Sequence, residues 1–237
     1  MAMTKAKPQV YGAGTGKRAV LFELENVVTD GRRVSFEVLR TVLAERDVKL
    51  TEPLYARFFT QRGVKQGLPM LLDLLGKARL SEDKLLTAYH EGLVKALSAD
   101  GLKMLPVFKS TAAGLKEKGF VLGALTGVDK PVAEALLVKA GAADLGFFVR
   151  TIPGEEKSGP TVEAWLKLAK NLGAGPAMCI AVTTSATSAK AALSAGMKCV
   201  AVLDAFTTGQ DYGGADFVVD RLEVSLVERI VALFPLL

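Results

Sequence analysis

The stretch Ala19-Val20-Leu21-Phe22-Glu23-Leu24-Glu25 decides the fold of this chain of 237 residues. Four apolar residues end abruptly at two glutamates, a pattern typical of a buried parallel strand with polar groups at its carboxyl end. Ligands bind at the carboxyl ends of the strands in open parallel sheets. Glu23 and Glu25 are therefore the first candidate site residues, and a polar turn is expected over residues 26–33.

Two further patterns follow this strand. Apolar residues recur at helical spacing between residues 34 and 103, where no strand signal occurs, so we expect an all-helical insert. From Leu105 onward, short apolar runs alternate with helical stretches that end at glycines. This alternation predicts an α/β core with a doubly wound parallel sheet. The chain is accordingly divided into a flexible leader (1–17), a core domain (18–32 and 104–237) and a helical domain (33–103).

Composition excludes several classes of protein. Half of the residues are hydrophobic and the mean hydropathy is +0.29, which excludes disorder over most of the length. No apolar run approaches the roughly 18 residues of a membrane span, and the first residues lack the apolar region of a secretory signal. We therefore expect a cytoplasmic protein without membrane contact. Its two cysteines, Cys179 and Cys199, are expected to pack as small apolar groups.

The basic charge is concentrated at the start of the chain. The formal net charge is +5, but residues 1–18 hold four basic residues and no acidic one. The remaining body has 26 basic and 25 acidic residues, so it is nearly neutral. A basic surface for nucleic acid is therefore not expected on the body of the protein.

Four segments resemble the motifs of the haloacid dehalogenase (HAD) superfamily, in the branch of phosphoglycolate phosphatase and β-phosphoglucomutase. Residues 19–30 resemble the first motif, in which an apolar strand ends in Asp-x-Asp. Residues 123–127 resemble the second, a strand ending in Ser or Thr. Residues 159–173 resemble the third, Lys-Pro before a helix, and residues 182–197 the fourth, Glu-Asp-Ser before a helix ending in Ala-Gly-Met. The resemblance implies a Rossmann-type core whose helical insert is a cap domain.

The resemblance also implies a chemistry. In this family the first Asp attacks phosphorus and forms an aspartyl-phosphate, while the Asp two residues later acts as general acid and base. A Ser or Thr hydroxyl and a Lys bind the phosphate oxygens. The acids of the fourth motif hold Mg²⁺, which neutralises charge during the transfer.

This sequence departs from the family at most catalytic positions. Glu23 and Glu25 stand at the nucleophile and acid/base positions, and their extra methylene displaces each carboxylate by about 1 Å, a misplacement that can cost about 100-fold in rate. Thr183 and Thr184 stand at the former metal positions, where hydroxyls are poor ligands for Mg²⁺. These departures from the family pattern therefore predict no bound metal.

The phosphate-binding positions are only partly kept. Thr126 and Gly127 match the second motif, whereas Gly159 replaces the third-motif lysine and Lys157 is the candidate substitute. The hydroxyls of Thr126, Thr183 and Thr184 are expected either to form a neutral anion pocket or simply to cap the helices that follow.

Residues outside these motifs carry weaker predictions. Arg62 and Lys65 align with the cap segment that reads substrates in this branch, with a solvated loop as the alternative. His90 is expected to lie away from the site, and Trp165 to serve packing. The apolar tail, residues 233–237, is expected to dock on the protein's own core or to contribute to a homodimer.

Three functions remain open from the sequence. The favoured one is a HAD-fold protein that has lost ordinary phosphatase chemistry and binds a small phosphorylated or anionic ligand, or a protein partner, without a cofactor. The alternative is an active phosphatase or phosphotransferase on a phosphorylated metabolite, with Glu23 as nucleophile, Lys157 as phosphate-binding cation and Mg²⁺ as cofactor. The third is a structural or interaction protein with an empty cleft.

Overall fold

A parallel sheet forms the centre of the computed structural model, which describes residues 16–152 and 160–234. Within these ranges the sheet has six strands in the order β3-β2-β1-β4-β5-β6. The order reverses between β1 and β4, and this switch point is where such sheets bind ligands. The predicted doubly wound α/β fold is confirmed. The strands are β1 (Arg18–Glu23), β2 (Phe120–Thr126), β3 (Phe148–Thr151), β4 (Cys179–Thr183), β5 (Lys198–Val202) and β6 (Phe217–Val219).

Helices flank the sheet and form the insert. Several begin at side-chain caps, as where the Ser185 hydroxyl accepts from the backbone N–H of Ser188. The helices near the first strand and in the insert are α1 (Leu24–Val28), α2 (Gly31–Ala44), α3 (Glu52–Phe59), α4 (Gly63–Leu74) and α5 (Glu82–Ser98). Those of the core are α6 (Val107–Glu117), α7 (Lys130–Lys139), α8 (Val162–Leu172), α9 (Ala186–Ser194) and α10 (Leu226–Ala232). No helix within the described residues is long and apolar enough to cross a bilayer.

The central strand β1 is buried on both faces, which explains its uninterrupted apolar sequence. Val20 and Phe22 pack into the cluster beneath α6 and α7, whereas Ala19 and Leu21 pack on the opposite face against Trp165. Trp165 is fully buried, as its predicted packing role requires.

The predicted polar turn over residues 26–33 is wrong, because α1 and the start of α2 occupy it. Leu24, Val27 and Val28 are all buried, and their i, i+3, i+4 spacing places them on one face of a short helix. Three apolar residues are too few to establish a helical period, so this short helix is hard to recognise in the sequence.

The helical insert has an apolar cluster of its own, built on Phe36, Tyr55 and leucines of α2 and α4. Phe206 also belongs to this cluster although it lies in the loop between β5 and β6 of the core. Its ring centroid lies 5.4 Å from that of Phe36 and 5.0 Å from that of Tyr55. The core thus contributes an aromatic side chain to the interior of the cap.

Two connecting segments join cap and core. Thr29 and Met104 form an antiparallel bridge, and the Leu105 N–H donates to the Val28 carbonyl at 2.8 Å. The bridge lies close to the predicted boundaries at residues 33 and 103, which remain predictions.

The cysteines and the tail lie in the core. Cys179 and Cys199 are buried free thiols, and burial raises the pKa of Cys199 to about 11. Phe234 is buried with its ring centroid 5.7 Å from that of Phe120, so this part of the tail docks on the chain's own core. Residues 235–237 lie outside the described ranges, and the homodimer remains a prediction.

Candidate functional site

A cleft of about 320 Å³ lies between the cap and the carboxyl ends of β1 and β2. Its volume falls in the range that holds small organic ligands. Glu23, Glu25 and Gly127 line it from the core, and Tyr55, Lys65 and Tyr89 line it from the cap. The structure therefore brings both predicted glutamates together with one of the two predicted cap residues.

Glu23 is buried at the end of β1, and Thr184 holds its carboxylate. Oε2 accepts from the Thr184 backbone N–H at 2.8 Å and also from the Thr184 hydroxyl. The second oxygen, Oε1, is buried without a hydrogen-bond partner among the described residues. Glu23 is thus fixed by one oxygen and unsatisfied at the other.

The hydroxyl of Thr184 is saturated. It donates to Glu23, and it accepts from Asn26 Nδ2 at 3.1 Å and from Arg32 Nη2 at 3.2 Å. A hydroxyl has one proton to donate and two lone pairs to accept with. Any further ligand on this oxygen would have to displace one of these partners.

Arg32 brings a buried positive charge to the site. Its Nη1 forms an ion pair with the Asp204 carboxylate, and the arginine is only 8% exposed. Asp204 also accepts from the Phe206 backbone N–H at 2.8 Å, which fixes its second oxygen. A buried charge is tolerated when it is paired and hydrogen-bonded in this way.

The sequence reasoning missed Asn26, Arg32 and Asp204. A signal for Asp204 was present, since it follows the strand β5 as closely as Glu25 follows β1. Nothing in the sequence distinguished Arg32 from other arginines of an amphipathic helix.

Glu25 lies across the switch point from Thr184, in what we term the anion cradle: the Thr126 hydroxyl and the backbone N–H groups of Gly127 and Val128. Its Oε1 accepts from all three, at 2.6, 2.8 and 3.2 Å respectively. Burial raises the pKa of Glu25, and the three hydrogen bonds oppose that shift without cancelling it.

The predicted pocket of three threonine hydroxyls is not formed. Thr183 lies on β4 with its hydroxyl 3.5 Å from Cys199 Sγ, away from the cleft. Thr184 follows the end of β4, and its hydroxyl is directed to Glu23 instead. The alternative, that these threonines cap the helices that follow, is also wrong, because the cap residue is Ser185 for α9 and Asp129 for α7.

The residues present do not fit the Mg²⁺ that the family resemblance implies. Magnesium prefers several charged or carbonyl oxygens in near-octahedral geometry. At the two positions where the resemblance implies metal ligands, Thr183 faces a thiol and the Thr184 hydroxyl is saturated. The Asp204 carboxylate is engaged by Arg32. Among the described residues no group of three or more His, Cys, Asp or Glu side chains is placed to hold a metal.

On the cap side, a chain of hydroxyls faces the cleft. Tyr55 donates to Ser35 Oγ at 2.8 Å, and Ser35 Oγ lies 2.8 Å from the Tyr89 hydroxyl. Burial raises the pKa of both tyrosines, so they remain neutral donors at physiological pH. These cap hydroxyls had no signal in the sequence beyond helical spacing.

The other cap residues considered in the sequence differ in whether they line the cleft. Lys65 lines the cleft, whereas Arg62 does not and instead places its guanidinium 3.5 Å from the Arg57 carbonyl. His90 also lines the cleft, so the expectation that it lies away from the site is wrong. The reason is that α5 packs against α7 of the core, which brings the face of α5 that includes His90 and Leu93 to the cleft.

Lys157 and Gly159 lie outside the described residues, and their roles as phosphate-binding cation and lost lysine remain predictions. The neighbouring described residues, Ile152 and Pro160, line the cleft.

Known proteins resemble this chain in sequence over most of its length. YhcW of Bacillus subtilis (strain 168), which carries a phosphatase assignment, is 26% identical over 185 residues, covering 78% of this chain and 83% of that protein. The CBBY-like protein of Arabidopsis thaliana is 24% identical over 250 residues, covering 91% of this chain and 77% of that protein.

Solved structures show the same fold. CbbY from Rhodobacter sphaeroides, in complex with phosphate, has a TM-score of 0.73 at 20% identity and covers 87% of this chain and 95% of its own. The β-phosphoglucomutase from Clostridium difficile has a TM-score of 0.71 at 20% identity and covers 92% of this chain and 96% of its own.

The model of one protein family, that of haloacid dehalogenase-like hydrolases, matches residues 17–196. This match includes β1, β2 and β4, whose ends carry Glu23, Thr126 and Thr184. The predicted family is therefore confirmed, and the chain belongs to the haloacid dehalogenase-like hydrolases.

Proposed function

We propose that this chain has lost Mg²⁺-dependent phosphatase chemistry and acts by binding a small ligand with an anionic group in the cleft between cap and core. The observation that carries the proposal is the saturated hydroxyl of Thr184. It stands at a former metal position, where its partners Glu23, Asn26 and Arg32 already use all of its hydrogen-bonding capacity.

The charge of Arg32 supports this proposal. Phosphoryl transfer in the family needs a cation beside the nucleophile to neutralise developing charge. Here the described cation in that region is a guanidinium paired with Asp204 and joined to Glu23 through Thr184. A divalent ion placed there would meet the positive charge of Arg32 as well as poor ligands.

The cleft itself supports ligand binding. It combines apolar walls, such as Phe59 and Leu93, with the hydroxyls of Ser35 and Tyr89. A few polar groups on an apolar wall are the usual composition of a small-molecule site. Lys65 on the cap gives the cleft an exposed cation that suits an anionic group.

Two measurements test the proposal. Purified protein is assayed on p-nitrophenyl phosphate and a panel of phosphorylated metabolites with Mg²⁺, and Mn²⁺ binding is followed by electron paramagnetic resonance. We expect no turnover above the Glu23→Gln variant and no stoichiometric Mn²⁺ binding. Turnover that Glu23→Gln abolishes would establish the alternative, a phosphatase or phosphotransferase with Glu23 as nucleophile.

A restored variant provides the matched positive control. It combines Glu23→Asp, Glu25→Asp, Gly159→Lys, Thr183→Glu and Thr184→Asp, together with Arg32→Gln to remove the competing cation. Mn²⁺ binding by this variant shows that the assay detects a site in this fold. A thermal-shift screen of the wild type with small anionic metabolites then tests binding, and absence of any shift would favour a purely structural protein.

A further inference from the structure

We propose that Glu25 is an internal ligand of the anion cradle, so that an external oxyanion binds there only by displacing the Glu25 carboxylate. This inference rests on the proposed function and adds how access to the site is controlled. It concerns three described donors, those of Thr126, Gly127 and Val128, and the single oxygen on which they converge.

The contacts have the form of a bound anion. The hydroxyl and two backbone N–H groups approach Glu25 Oε1 at 2.6, 2.8 and 3.2 Å. Three hydrogen bonds saturate this oxygen, and they engage all three donors of the cradle. A free phosphate or carboxylate therefore finds these donors already engaged.

The donors of the anion cradle are positioned by the sheet and the turn after β2, and not by Glu25. Thr126 ends β2 and is fixed by strand pairing, and its carbonyl accepts from the Ile152 N–H at 2.8 Å. The Thr126 hydroxyl also lies 3.2 Å from the Val128 nitrogen, which holds the turn in place. Removing the Glu25 side chain thus leaves the Thr126 hydroxyl and the Gly127 N–H without this acceptor, while the Val128 N–H keeps its contact with the Thr126 hydroxyl.

Glu25 and the donors of the anion cradle lie in different segments of the chain, which makes displacement of Glu25 feasible. Glu25 lies on α1, 101 residues before Thr126. Its long side chain reaches the cradle at the carboxyl end of the sheet, where β1 and β2 are neighbours. A rotation about the side chain's own bonds therefore frees the three donors without moving β2 or α7.

The test compares oxyanion binding by wild type and Glu25→Ala. Inorganic phosphate and acetate are titrated by isothermal calorimetry, with chloride at equal ionic strength as the control. We expect Glu25→Ala to bind phosphate or acetate about tenfold or more tightly than the wild type, and to regain thermal stability when they are added. The phosphate and acetate arms show which oxyanion shape the vacated cradle prefers.

Two matched variants separate this mechanism from a general loosening. Glu25→Gln keeps an oxygen that accepts from all three donors, so it should gain no oxyanion affinity. Glu25→Ala combined with Thr126→Val lacks one donor and should lose about tenfold of the gained affinity. Glu25→Gln binding phosphate as tightly as Glu25→Ala would contradict the proposal.

A measurement on the wild type keeps the test decisive if Glu25→Ala does not fold. The amide resonances of Gly127 and Val128 should be unmoved by phosphate in both the wild type and Glu25→Gln. Without phosphate, they should lie upfield in Glu25→Gln relative to the wild type, because a neutral amide oxygen accepts weaker hydrogen bonds than a carboxylate. Phosphate shifting these amides in the wild type, or folded Glu25→Ala binding no oxyanion, would overturn the inference. Turnover by the wild type, by contrast, would overturn the proposed function alone.

Discussion

Thr184 donates both its backbone N–H, at 2.8 Å, and its hydroxyl to one carboxylate oxygen of Glu23. The residue that the resemblance aligns with the nucleophile is thereby held by the residue that it aligns with a metal ligand. The same hydroxyl accepts from Asn26 and Arg32, so the tie extends to the first helices of the chain.

Thr184→Val should destabilise the protein by about 1–3 kcal/mol, because buried donors on Asn26 and Arg32 lose their acceptor. Urea unfolding at neutral pH measures the loss. Thr183→Val is the matched control, since its hydroxyl faces only the Cys199 sulfur at 3.5 Å, and it should cost clearly less. Equal losses for the two variants would show that the Thr184 contacts contribute no more than a buried hydroxyl does.

Arg32→Met should cost about 3–5 kcal/mol, because it leaves the Asp204 carboxylate without its buried partner. Arg40→Met removes a half-exposed arginine paired with Glu37 and should cost about 0.5 kcal/mol. The double variant Arg32→Met with Asp204→Asn should recover part of the loss. A double variant as unstable as the sum of the single ones would rule out coupling within the pair.

Glu25→Gln should change how stability depends on pH. Burial raises the pKa of Glu25, so the folded protein retains a proton that the unfolded chain releases once the pH exceeds the ordinary value of 4.5. The contribution of Glu25 is therefore lost as the pH rises from there through the folded pKa. Relative to the wild type, Glu25→Gln should gain stability over that interval. Urea unfolding at several pH values checks this, and a difference that shrinks with rising pH would contradict it.

Phe206→Ala should destabilise the protein by about 3–5 kcal/mol, because it opens a cavity among the aromatic rings of the cap. Phe148→Ala, at a ring 40% exposed on β3, is the control and should cost much less. Hydrogen exchange should also accelerate in α3, which carries Tyr55. Unchanged exchange in α3 would show that the core loop does not support the cap.

The fold was predictable because the inner strands β1 and β4 each contain an uninterrupted run of four apolar residues that is fully buried. The identity of the site was predictable for the same reason, since Glu23 and Glu25 follow the first such run. The short helix α1 was missed because three apolar residues do not establish a helical period.

The partners within the site were not predictable. Arg32 and Asp204 are 172 residues apart, and Glu25 and Thr126 are 101 apart. Which of several charged side chains meets which depends on the exact approach of the cap to the sheet. Spacing along the chain also suggested a shared role for Thr183 and Thr184, but the Thr183 hydroxyl faces the Cys199 sulfur whereas the Thr184 hydroxyl donates to Glu23.

The loop between β5 and β6 affects which segments a chimera of this protein and a relative must include. Phe206 completes the apolar interior of the cap, and Gln210 accepts from the Ala186 N–H while donating to the Thr60 hydroxyl, each at 2.8 Å. A chimera that grafts only residues 33–103 onto a relative's core would therefore leave an aromatic gap and unpaired polar groups. In this protein the transferable module is discontinuous, and it includes a loop that the chain supplies a hundred residues after the cap ends.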